Sequence, residues 1–323
     1  MRGPVFTRVS VILAAAALLA QPAHAVDPIT VGTVGSASAV LWPVFIGMKK
    51  GFYAEQDLKV DLVFVQSSAQ TIQQLTTGAL DITMSTGLVD PIRAIDRGAP
   101  IAIVRIEVQA PPYSLVAKES IKSLAELKGK TISLGGPKDI TRIYVERMLA
   151  PNGVKAGEFD MVFAGATSAR TSALLSGAVD AAILVPPFNF QATAAGFNDL
   201  GKTVDYVKDL PFSGTAVNVA WANDHGAVLQ RMIAAHNKGV AWFEDDHNRA
   251  EAIQMLVTES RLKPEEVEKS YDFFRNGQFF EPTGKVSKAK LQALSDTLAD
   301  LGDLSNGTNV NRMLLPGVTQ VSE

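Results

Sequence analysis

Apolar and polar positions along the first two thirds of this 323-residue chain separate short strands from short amphipathic helices. Ile29 to Val34 reads as a strand entering a small polar turn at Gly35 to Ser38. Val40 to Tyr53 reads as a helix with Leu41, Val44, Phe45 and Met48 on one face. Leu58 to Val65 is a strand, Ala69 to Thr77 a helix closed by Gly78, and Ile82 to Met84 a strand running into Ser85 to Gly87. A helix over Ile92 to Arg97 ends at Gly98, and Ala110-Pro111-Pro112 interrupts the series. It restarts with a strand at Tyr113 to Ala117, a short helix at Ser123 to Leu127, a strand at Lys130 to Leu134 and a helix at Ile140 to Leu149. Ile183 to Val185, Val204 to Lys208 and Ser213 to Trp221 are the later strands. Beyond Asn223 the spacing is helical, over Val228 to Glu244, Asn248 to Glu259, Pro264 to Asn276 and Ser287 to Leu301. Strands alternating with helices predict an α/β fold with mostly parallel sheets.

One stretch of this pattern occurs twice. Asp61 to Asp81 and Asp160 to Asp180, 99 positions apart, agree at seven of 21 positions without a gap. Each copy reads as an apolar strand, a hydroxyl-rich turn, a short helix closed by Gly, and a second strand. A unit used twice predicts two similar lobes with a cleft between them. Lobe 1 is expected over 26–112 plus 216–323 and lobe 2 over 113–215, joined by two hinge crossings.

The first 25 residues read as a signal peptide. Arg2 and Arg8 form a positive region, Val9 to Ala20 an apolar one, and Ala23-His24-Ala25 a cleavage site. The chain has no cysteine, which removes disulfides, thiol nucleophiles and the lipid-bearing Cys of a lipoprotein. Cleavage would leave 28 basic against 33 acidic residues, a formal charge of −5. That balance argues against nucleic acid and anionic membranes as partners. A periplasmic protein, monomeric by default, is expected.

Ligands of open α/β sheets bind beyond the carboxyl ends of strands, where helix N-termini favour anions. Five such turns carry hydroxyls or Gly: Ser36 and Ser38, Ser67 and Ser68, Ser85 and Thr86, Gly136 to Thr141, and Thr167 and Ser168. Lys138 and Arg142 flank one of them and would pair with a carboxylate, sulfonate or phosphate. Arg170 is a weaker candidate, because its helix can turn it to solvent. Asp139 either caps its helix or accepts from an ammonium or amide on the ligand. Trp42 and Phe188, and less so Tyr113 and Phe190, are candidate ring walls. Thr215 and Asn218 on the return strand are candidate polar contacts. No nucleophile elbow, phosphate loop or zinc-protease motif occurs, so no catalytic residue, metal or cofactor is assigned. His225, His236 and His247 are spaced by eleven, but Asp245-Asp246 and Asn248 break any common helix.

Gly47 to Asp61 (Gly-Met-Lys-Lys-Gly-Phe-Tyr-Ala-Glu-Gln-Asp-Leu-Lys-Val-Asp) resembles the early A-x-x-x-G-[FY]-[FY]-x-x-x-G-L-x-V signature of one group of ABC-transporter binding proteins. Leu75 to Asp81 resembles their L-x-x-G-x-x-D motif, and Ser120 to Thr131 their I-x-x-x-x-D-L-K-G-K-x-[IV] entry to the second lobe. That group takes up aliphatic sulfonates, taurine, nitrate and thiamin-precursor pyrimidines. The resemblance covers nearly the whole mature chain and implies a two-lobed periplasmic binding protein fold (type II). It also implies closure around one solute and delivery to a permease with its ATPase. A small organic acid or sulfonate leads as ligand, with a flat pyrimidine or aromatic acid as the alternative. Two departures bear on the ligand and the turns: Pro137-Lys138-Asp139 replaces a Gly/Ser-rich turn, and Asp57 stands where Gly is usual. A related eukaryotic branch makes a pyrimidine with iron and a Cys-rich motif that this chain lacks.

Overall fold

In a computed structural model of the protein the described residues are 26–36, 38–305 and 309–322, so the expected signal peptide lies outside them. The chain opens with β1 (Asp27–Val34), α1 (Trp42–Lys49), β2 (Leu58–Val65), α2 (Ser68–Thr76), β3 (Ile82–Gly87), α3 (Val89–Asp96) and β4 (Ile101–Val108). It then crosses to a second unit of β5 (Ser114–Ala117), β6 (Thr131–Leu134), α4 (Ile140–Leu149), β7 (Asp160–Phe163) and α5 (Thr167–Leu175). That unit ends with β8 (Ala181–Leu184), α6 (Phe188–Ala194), β9 (Asn198–Lys202) and α7 (Val204–Val207). The chain returns as β10 (Ser213–Asn218) and finishes in α8 (Val219–Asp224), α9 (Gly226–Glu244), α10 (Arg249–Ser260), α11 (Pro264–Asn276) and α12 (Lys288–Asp300).

The two five-stranded sheets run β2-β1-β3-β10-β4 and β7-β6-β8-β5-β9. They match position by position. In each, the fourth strand is antiparallel to both neighbours, and it is the first strand after a crossing. The repeat therefore has a structural meaning: β2-α2-β3 and β7-α5-β8 are the same unit. Its identical aspartates do the same work, Asp81 accepting from the Thr30 amide at 2.8 Å and Asp180 from the Thr131 amide at 3.0 Å. Its identical phenylalanines, Phe64 and Phe163, lie on the edge strands and are each 44% exposed.

Several elements differ from expectation. β4 was not anticipated, because Arg105 and Glu107 interrupt its apolar run, yet both are buried. β9 and α6 were not anticipated either. Val204 to Lys208, expected as a strand, forms the short helix α7. The last strand stops at Asn218, whose side chain caps α8 by accepting from the Trp221 amide. Ser213 to Thr215 pair with the first sheet, so the return crossing comes earlier than the expected lobe boundary. Asp57 sits at φ +53°, which explains the family's usual Gly at this turn; Asp is among the few side chains that enter this region readily.

The C-terminal helices are tied to the first sheet through a buried polar cluster. The Glu107 carboxylate accepts from Arg105 at 2.5 Å and His236 Nε2 at 2.7 Å, and Tyr53 Oη lies 3.0 Å from His236 Nδ1. Burial works against the Glu107 charge, but Arg105 and His236 outweigh it and hold the carboxyl at about 2. Burial holds His236 below its usual value, so it is neutral and donates through Nε2. No helix among the described residues is long and apolar enough to cross a membrane.

Candidate functional site

Both sheets point the carboxyl ends of their parallel strands at one cavity of about 130 Å³ between the units. The first unit contributes Ser36 and Ser38 after β1, Ser67 and Ser68 at the start of α2, and Ser85 in β3. The second unit contributes Asp139 and Ile140 at the start of α4, Thr167, Ser168 and Arg170 of α5, and Phe188. Tyr113 and Phe212 close the cavity from the two crossings.

The helix ends around it are not equivalent. Ser67 caps α2 by accepting from the Gln70 amide, and Asp139 caps α4 by accepting from the Thr141 amide at 2.9 Å. Ala166 gives α5 no side-chain cap, so the first N–H groups of α5 lack one. On the same helix Arg170 is 3% exposed. Its Nη1 donates to the Ile183 carbonyl at 2.7 Å and its Nη2 to Thr167 Oγ1 at 2.6 Å, while Nε has no acceptor. No carboxylate lies within ion-pair distance of this guanidinium among the described residues. A buried cation left this way is costly unless an anion joins it. Ser38 Oγ is also buried without a partner among the described residues.

Aromatic rings form the opposite character of the wall. The Tyr113 ring meets Phe212 edge-on at 5.1 Å and lies 5.5 Å from the Arg170 guanidinium. Burial, helped by Asp139 and opposed by Arg170, pushes the Tyr113 hydroxyl up to about 12, so it stays a neutral donor. The units also touch directly: the Ala39 amide donates to the Pro186 carbonyl at 3.1 Å, and Arg147 donates to Thr297 at 2.7 Å.

Of the residues anticipated from sequence, Ser36, Ser38, Ser67, Ser68, Ser85, Asp139, Thr167, Ser168 and Phe188 line the cavity. Seven others lie elsewhere. Trp42 is fully buried in the first unit's core, its ring 6.4 Å from Phe243. Thr86 turns its hydroxyl to the Met84 carbonyl. Lys138 is exposed and pairs with Asp303 at 3.0 Å. Thr141 stands behind the wall, donating to Asp139 and accepting from the Gly135 amide at 2.9 Å. Arg142 turns away to Glu146 at 2.8 Å. Thr215 donates to Glu107, and Asn218 binds the Leu75 carbonyl while capping α8. Phe190, the weaker ring candidate, packs 6.0 Å from Phe273. Tyr113 and Arg170, ranked low from sequence, are cavity residues, and Phe212 was missed. The proline-interrupted crossings that frame Tyr113 and Phe212 were the available signal.

The formylaminopyrimidine-binding protein of Halalkalibacterium halodurans is 25% identical over 224 residues, 67% of this chain and 65% of that protein. The match thus spans just under two thirds of the curated relative. Among solved structures, the alkanesulfonate-binding protein SsuA from Xanthomonas axonopodis pv. citri bound to MOPS superposes with a TM-score of 0.74 at 18% identity. It covers 93% of this chain and 100% of that one. The periplasmic nitrate-binding protein NrtA from Synechocystis PCC 6803 gives 0.72 at 17% identity, covering 88% and 84%. These likenesses establish the two-unit periplasmic binding protein fold. The model of the NMT1/THI5-like family matches residues 39–250, about two thirds of the sequence, and the chain belongs to that family.

Proposed function

We propose that this chain is the solute-binding component of an ABC importer, acting in the periplasm as a monomer. Its two units close around a small organic anion and hand it unchanged to a permease and its ATPase. The observation that carries the reading is Arg170, a buried guanidinium with no carboxylate partner in the wall of an inter-unit cavity. The uncapped start of α5 adds positive potential at the same place. Binding without chemistry is supported by the names of the relatives and by the histidines, which stand outside the wall. His236 is in the buried Glu107 cluster, His225 stacks on Trp221, and His247 is paired with Asp245.

A second reading, a flat pyrimidine or aromatic acid, is favoured by the rings of Tyr113, Phe188 and Phe212 along the same wall. Both readings are tested by thermal-shift and calorimetric screening of ligand-stripped protein against alkanesulfonates, taurine, nitrate, aromatic carboxylates and aminopyrimidines. The bound ligand is expected to lose about a hundredfold or more in affinity in Arg170→Met. An unchanged affinity in that variant would remove the anion reading and leave the ring reading.

A further inference from the structure

The cavity wall carries an acid as well as the cation. Asp139 Oδ1 accepts from the Thr141 amide and hydroxyl, but Oδ2 has no protein partner among the described residues. The Thr141 bonds fix the carboxyl close against Gly135, where a Cβ would stand 2.6 Å from Oδ1. Asp139, Arg170 and Tyr113 line the same cavity, with the Arg170 guanidinium 5.5 Å from the Tyr113 ring, so a ligand on that ring meets both charges. A ligand carrying only a negative group satisfies Arg170 and brings its charge toward Asp139. Asp139 also acts on Asp90 across the units: burial first, then the Asp139 charge, raises Asp90 to about 6. The wall therefore offers one free carboxylate oxygen beside a buried cation that lacks an anion.

We propose that the ligand is a planar aromatic acid bearing an amino group. Its acid group meets Arg170 and the first N–H groups of α5, its ring lies against Tyr113 and Phe188, and its N–H donates to Asp139 Oδ2. The inference deepens the anion reading above and rests on it.

The test is calorimetry on the ligand-stripped chain with benzoate and with 3- and 4-aminobenzoate, in the native protein and in Asp139→Asn. Asn caps a helix as well as Asp does, so α4 is retained, which circular dichroism checks. At least one amino isomer is expected to bind roughly tenfold or more tightly than benzoate, and Asp139→Asn to abolish that difference, with benzoate itself binding no more weakly because a like charge has left the wall. Equal binding of amino and plain acids, or a preference that survives Asp139→Asn, overturns the inference and leaves the anion reading intact. Failure of all three acids, alongside an Arg170-dependent non-aromatic anion, does the same. If no ligand depends on Arg170, the anion reading fails and the inference falls with it.

Discussion

Lys138 and Asp303 lie 3.0 Å apart across the gap between the units, and Arg93 joins them. It donates to the Asp303 carboxylate and to the backbone carbonyl of Lys138. The three residues come from the turn before α4, the segment after α12, and α3. They form a clasp at the rim of the cleft, outside the cavity wall. Lys138 is exposed and its pair is worth little, whereas Arg93 is buried: its pair with Asp303 is made within the first unit, and its bond to the Lys138 carbonyl crosses to the second.

Arg93→Ala is therefore expected to raise the ligand dissociation rate by about tenfold with little change in association. Lys138→Ala should change it by less than about threefold. Stopped-flow fluorescence measures both, and equal effects of the two variants would count against the clasp.

Gly165 tests the closed geometry separately. It has φ +73°, and a Cβ there would stand 2.8 Å from the Gln66 carbonyl oxygen of the other unit. Gly165→Ala should cost about 1 kcal/mol of stability from the backbone alone. Beyond that, it should hold the units apart and weaken binding by about tenfold. Small-angle scattering with saturating ligand is expected to show a larger radius of gyration than for the native protein. Normal compaction would mean that the contact is not limiting.

The buried Glu107 cluster predicts a large stability effect with no binding role. Glu107→Gln leaves Arg105 without its counter-charge and should cost roughly 3–5 kcal/mol in urea unfolding. A loss under about 1 kcal/mol would show that solvent reaches the cluster and compensates it.

Asp90 gives a pH dependence whose sign follows from its raised value of about 6 against an ordinary 3.8. The folded state holds a proton that the unfolded chain has released. Its stabilising contribution is full below pH 3.8 and is lost as pH rises through about 6. Asp90→Asn should flatten this part of the melting-temperature profile between pH 4 and 7, and gain stability relative to the native protein above pH 6. Parallel profiles for the two proteins would refute the shift.

Much of this architecture is legible without coordinates. The alternation of strands and helices, the 99-residue repeat and the hydroxyl turns follow from side-chain period and turn chemistry, which are local. Because ligand turns lie at strand ends, most of the anticipated turn hydroxyls reached the cavity. β4 was hidden for the opposite reason: Arg105 and Glu107 make sense in a core only once His236, far along the chain, is beside them.

The two arginines show where local reasoning ends. Arg142 is the third residue of α4 and Arg170 the fourth of α5. One residue turns a helix by about 100°, enough to send Arg142 outward to Glu146 and Arg170 inward to Thr167 and Ile183. Sequence by itself determined the repeated α/β units and the turns that meet at the cleft, because propensity and periodicity act over a few residues. Tertiary structure alone decided which charge faces the cavity, because packing against the sheet sets the rotation of each helix.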